Sequence, residues 1–155
     1  MSEELLVQGN TLPSAPPDVI EKIKSLEARV RPHEHTLQVQ MEHVLHAGMY
    51  SRTCRLAAGM LITSVLIKIP TMLVVNGRCC VFAGDKWYSL EGYQVMPASA
   101  GRKQVYVTIG PTEITMIFPS NAKTVEEAEA QFTDEMDQLL TSRRDGNDLI
   151  TVTGV

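Results

Sequence analysis

The sequence predicts a mainly β protein, a sandwich or barrel carrying one N-terminal and one C-terminal helix. Three observations carry that expectation. Apolar Leu37, Val39 and Met41 alternate with polar Gln38, Gln40 and Glu42, a period of two that belongs to strands. Short strand-like runs then follow at 48–56, 60–68, 71–76, 78–83, 86–90, 93–97, 103–109 and 112–118, with Gly59, Asn76-Gly77, Gly84-Asp85, Gly92, Gly101 and Gly110-Pro111 between them. Evenly spaced short strands with glycine turns build sandwiches and barrels rather than βαβ units. Helical periodicity occurs only outside this stretch.

Taken in order, residues 1–17 end in Leu12-Pro13-Ser14-Ala15-Pro16-Pro17 and read as an extended arm. A helix over 18–31 follows. Asp18 and Glu21 have capping-box spacing, Ile20, Ile23, Leu26 and Val30 form an apolar stripe, and Pro32 ends it. The barrel occupies 36–120. Asn76-Gly77 is its strongest hairpin signal, because a type I′ turn needs positive φ at both central positions. A second helix is expected over 124–144. Thr124 and Glu127 cap it, Val125, Ala128, Phe132, Met136, Leu139 and Leu140 form its apolar face, and Arg143-Arg144 stand where the helix dipole favours cations. The tail, 145–155, turns at Asp145-Gly146-Asn147. Its apolar run Leu149-Ile150-Thr151-Val152 is a strand that must pair with its own sheet edge or with a neighbouring subunit.

At 155 residues the chain can bury one substantial core. Its net charge of −4 and lack of a dense Lys/Arg block argue against binding duplex nucleic acid, while leaving room for a small anion held by a few basic residues. Cys79 and Cys80 are adjacent and point to opposite faces of a strand, so they are poor disulfide partners. With Cys54 they make an odd count, and with no N-terminal signal the expected compartment is a reducing cytoplasm. The longest apolar run, Val65 to Val75, is interrupted by Lys68, Pro70 and Thr71 and is too short to span a membrane. No Gly-x-Ser-x-Gly, Walker-type loop or dinucleotide fingerprint is present, and no zinc spacing, so neither an enzyme class nor a cofactor is indicated.

Several pieces in sequence carry a family resemblance. These are His46-Ala47-Gly48-Met49-Tyr50-Ser51-Arg52, Ala58-Gly59-Met60-Leu61-Ile62-Thr63, Ile67-Lys68, Ala98-Ser99-Ala100-Gly101-Arg102-Lys103 and the helix from Thr124 to Glu135. Together they resemble small cupin-like proteins common in tailed phages and their bacterial hosts, which implies a double-stranded β-helix barrel. In metal-binding cupins the first ligand motif would fall here on Ile67, Ile69, Pro70 and Thr71, and the second on Gln104. None of these is a good ligand for zinc, iron or manganese. The resemblance therefore implies a barrel that keeps its pocket without the metal, and that binds rather than oxidises.

The polar and basic residues expected to converge in that pocket are His46, Tyr50, Arg52, Lys68, Arg102 and Lys103. Lys68 stands in an otherwise apolar run, where a buried ammonium needs a partner or a ligand. Tyr50 and Arg52 share one strand face with Cys54; Arg can grip phosphate bidentately and Tyr can stack on a ring. The leading expectation is an oligomeric, non-enzymatic binder of a small anion, for example a nucleotide-type immune signal. One alternative is a virion decoration or assembly protein tied together by its terminal arm and strand. The other is a metal-dependent cupin enzyme drawing ligands from His33, His35, His43 and His46.

Overall fold

The computed structural model describes residues 4–5, 10–32, 39–143 and 148–153. Its strands are β1 (Glu4–Leu5), β2 (Gln40–His46), β3 (Met49–Leu56), β4 (Leu61–Thr63), β5 (Thr71–Ala83), β6 (Lys86–Ala98), β7 (Val105–Thr108), β8 (Thr112–Pro119) and β9 (Leu149–Val152). The helices are α1 (Pro17–Val30), α2 (Val125–Phe132) and α3 (Met136–Arg143). The strands form one curled mixed sheet in the order β1-β6-β5-β8-β3-β2-β9, with β7 joining β5 to β4. The result is the mainly β barrel that the sequence predicts.

The curl arises within β5. Its first half, Met72–Asn76, pairs with β8, and its second half, Cys79–Phe82, pairs with β7. One long strand therefore serves two arms of the sheet, and the pivot between its halves is Gly77. A Cβ there would run into the Pro111 carbonyl oxygen and would lie 2.6 Å from Thr112 Cα, and the backbone sits at φ +150. Only glycine tolerates both conditions.

Asn76-Gly77 is thus a bend inside a strand rather than the expected hairpin turn. Opposite it, Gly92 bends β6 in register with Gly77, and the two expected strand pairs merge into one long hairpin closed at Gly84-Asp85. The turn with positive φ at both central residues lies elsewhere, at Ala47-Gly48 (φ 52 and 70), between the paired His46 and Met49.

Two other expectations change for the same physical reason, competition for backbone hydrogen bonds. The predicted strand 60–68 shortens to Leu61–Thr63, because the next residues bond to the C-terminal region instead. Leu66 N–H donates to Glu135 Oε1 (2.6 Å), Lys68 N–H to Phe132 O (2.8 Å), and Thr133 Oγ1 to Leu66 O (2.8 Å). Those same bonds split the expected helix 124–144 in two, with Thr133 extended between α2 and α3. The Thr124 cap is made: its Oγ1 accepts from Glu127 N–H at 3.2 Å. The Asp18 cap is not. Pro16 precedes α1, Pro17 fills its first turn, and no side chain caps that end.

The core gathers Tyr50, Leu73, Val75, Val81, Met96 and Phe118 inside the barrel. The arm belongs to it as well: Leu12 is fully buried and its backbone bonds to Pro97 O and Ser99 N at 2.9 Å each. Helix α1 lies outside, packing Val19 and Ile23 on Val105, with Phe82 and Trp87 alongside. The tail strand β9 pairs in parallel with β2, so its partner is the chain's own sheet edge. Among the described residues no helix is long and apolar enough to cross a membrane.

Candidate functional site

Extended chain sends successive side chains to opposite faces, and the segment entering β7 shows the consequence. Gln104 and Tyr106 are buried on the barrel side, where Tyr106 joins the main core and donates from its hydroxyl to Gln104 Oε1 at 3.1 Å. Lys103 and Val105 face the other way, under α1. Lys103 is fully buried, and its Nζ meets Glu27 of α1 at 2.7 Å, Ser64 O at 2.8 Å and Glu135 at 3.9 Å. Arg102 shares the inward side with Gln104. The neighbours Arg102 and Lys103, expected in one pocket, are therefore parted by the sheet, and Lys103 is an internal ion pair that pins α1.

The other expected site residues also separate. Lys68 lies at the surface, its Nζ 2.6 Å from Asp134, with the two side chains 41% and 85% exposed. His46 lies on the exposed face of β2 and bonds through Nδ1 to the Thr153 hydroxyl. Tyr50 and Arg52 do share the inner face of β3, but in a network already closed by carboxylates. Arg52 Nη1 donates to Glu129 Oε2 of α2 at 2.8 Å, and its guanidinium lies 5.6 Å from the centre of the Phe132 ring. The Tyr50 hydroxyl is 2.7 Å from His43 Nδ1, and His43 Nε2 is 3.0 Å from Asp148.

Burial, with the nearby Arg52 charge, lowers the His43 pKa against the pull of Asp148 and favours the neutral ring. Its Nε2–H then donates to Asp148 while Nδ1 accepts from Tyr50. Burial opposes the Arg52 charge as well, but Tyr50 and Glu129 overcome it and raise the Arg52 pKa. Glu129 was not foreseen as part of any site, and His43 was expected only as a candidate metal ligand, not as the partner of Tyr50 and Asp148. Glu129 and Asp148 lie far along the chain from the Arg52 and His43 side chains that they meet.

Arg102 is different. It is fully buried, and every contact of its guanidinium is to a neutral group: Ser99 O (2.9 Å) and Ile69 O (3.4 Å) from Nη1, Thr71 Oγ1 (2.7 Å) and Met116 Sδ (3.5 Å) from Nη2. No carboxylate pairs with it among the described residues. Burial lowers its pKa, with only the Tyr106 oxygen acting the other way. Two buried donors on this inward side, Arg102 Nε and Gln104 Nε2, have no acceptor among the described residues. An unpaired buried donor costs about 1–3 kcal/mol, and more when charged.

This surrounding also tests the metal that the resemblance would bring. The residues at its ligand positions do not fit one. Ile67 pairs through its backbone with Arg102, while the Ile69 carbonyl and the Thr71 hydroxyl hold the Arg102 guanidinium. A fixed cation already lies against that set and would repel a second. Among the described residues no group of three or more His, Cys, Asp or Glu could hold a metal ion, and His33 and His35 lie outside those residues. Burial pushes the nearby Cys54 and Cys79 thiols up to about 11, which disfavours the thiolate.

No family model matches the sequence, and a search of curated proteins finds no match. Among solved structures the chain is similar to a cupin superfamily protein from Desulfitobacterium hafniense DCB-2. Identity there is 14% and the TM-score 0.45, over 54% of this chain and 79% of the other. It is also similar to a conserved protein of unknown function from Streptococcus pyogenes, at 11% identity and TM-score 0.43, over 55% and 76%. The chain itself is a mainly β barrel built on one curled mixed sheet.

Proposed function

We propose that this chain is a non-enzymatic, cupin-like binding protein whose barrel interior holds a small anion against Arg102. One observation carries the reading: Arg102 is fully buried without a carboxylate partner among the described residues. A buried charge is normally paired, because its desolvation is otherwise costly. An anionic ligand supplies the missing charge and also accepts from the Arg102 Nε and Gln104 Nε2 donors. A phosphate, including that of a nucleotide, and a carboxylate both have the required oxygen acceptors. Lys68, His46, Lys103 and Arg52 drop out of the ligand set, since each already has a partner within the fold.

The test is Gln104→Glu, which places a carboxylate two residues from Arg102 on the same side of the strand. Melting temperature and titration calorimetry are measured with inorganic phosphate, AMP and succinate. In the wild type at least one of these raises the melting temperature, as a ligand specific to the folded state must. The variant melts higher than wild type without anion and gains nothing further on adding it. A wild-type protein indifferent to all three, and to anions released by heat from protein purified out of its native cells, rejects the reading.

The alternative role in assembly draws on one feature, the exposed tail strand. Leu149, Ile150 and Val152 of β9 are each more than half exposed at the sheet edge. Removal of 148–155 separates the two roles: loss of a higher assembly with anion binding intact supports the structural one.

A further inference from the structure

The charge and the free donors around Arg102 limit the anion that can join it. Alternation along the extended chain puts Arg102, Gln104 and Tyr106 on one side, at 0%, 2% and 3% exposure. The Tyr106 hydroxyl donates to Gln104 Oε1 at 3.1 Å, which fixes the amide and leaves Nε2 as its free end. Among the described residues no charged side chain acts on Arg102. The titratable group that does is the Tyr106 phenol, which burial keeps protonated. Lys103 and Arg52 are neutralised by Glu27 and Glu129. The Arg102 site therefore carries a single positive charge.

That charge selects first. A monoanion leaves the site neutral, whereas a dianion leaves one buried negative charge uncompensated, the state that interiors tolerate least. The donors select second. Arg102 Nη1 and Nη2 already reach Ser99 O, Ile69 O, Thr71 Oγ1 and Met116 Sδ. What remains is Arg102 Nε and Gln104 Nε2. A carboxylate brings two acceptor oxygens to these two donor groups. A phosphate brings a third oxygen, and a buried acceptor without a donor costs about tenfold in affinity or more. The surroundings select third. Met116, which touches Arg102, belongs to the main core together with Met60, Met96 and Leu73. The rest of the ligand thus meets apolar side chains, and methionines adapt their shape to a guest.

We infer that the ligand is a monocarboxylate with a short apolar body, its two oxygens received by Arg102 Nε and Gln104 Nε2. The inference rests on the proposed reading of Arg102 as an anion site and narrows it to one chemical class. The test is titration calorimetry on the full chain at about pH 8, where succinate and phosphate are mostly dianions. Butyrate should bind about tenfold tighter than either of them, and the uncharged butyramide should not bind. Arg102→Met should abolish butyrate binding while the circular dichroism spectrum stays unchanged. Should that variant not fold, the wild-type ligand series decides alone. Succinate or phosphate binding as tightly as butyrate would overturn the inference and leave the anion reading standing. Butyramide equal to butyrate, or butyrate binding by a folded Arg102→Met protein, would overturn it too. Indifference to all four compounds would overturn both readings.

Discussion

Arg52 and Arg102 are both arginines brought against the core of one small barrel, yet their surroundings differ in kind. Arg52 meets the Glu129 carboxylate, and its side chain and that of Glu129 are 12% and 1% exposed. Arg102 meets carbonyls, a hydroxyl and a thioether. The first guanidinium closes a circuit that ties β3 to α2. The second is held in position without being neutralised, which is the arrangement expected of a charge reserved for something that arrives from outside. The contrast teaches that burial alone does not describe a buried arginine; the charge of its neighbours divides Arg52 from Arg102.

Three substitutions can break that contrast or sharpen it. The largest effect should come from Glu129→Gln, which leaves Arg52 buried beside a neutral amide. A loss of about 3–5 kcal/mol in urea unfolding is expected. A loss below about 1 kcal/mol would mean that Arg52 needs its carboxylate no more than Arg102 does. Arg102→Met should stay within about 1 kcal/mol of the wild type in the same measurement without anion, because it removes a desolvated charge along with its neutral hydrogen bonds. A cost equal to that of Glu129→Gln would make Arg102 a structural element. The smallest effect should be that of Lys68→Ala. Its pair with Asp134 is open to solvent, so unfolding should change by about 0–1 kcal/mol and anion binding should stay as in the wild type.

The period of two made the barrel legible in the sequence, and the same period held the answer to Arg102 and Lys103, whose side chains must leave opposite faces of an extended chain. What stayed hidden was long-range. Glu27 reaches Lys103 from α1, Glu129 reaches Arg52 from α2, and Asp148 reaches His43 across 105 positions. Each partner is fixed by packing, which no local spacing encodes. Asn76-Gly77 failed as a hairpin signal for a similar reason. Its glycine is demanded by the close approach of Pro111 and Thr112, a tertiary contact, while the positive-φ turn fell on Ala47-Gly48, a pair with a weaker signature.

The bend at Gly77 has one more consequence. Because β5 lends its first half to β8 and its second half to β7, the two arms of the sheet are joined through that single strand. Any motion that frees β8 from Met72–Asn76 also loosens the anchorage of the strand that holds β7, and with it the segment that carries Arg102 and Gln104. β5, in its long hairpin with β6, is thus the hinge-pin of the barrel, and a change at Gly77 is felt on both arms at once.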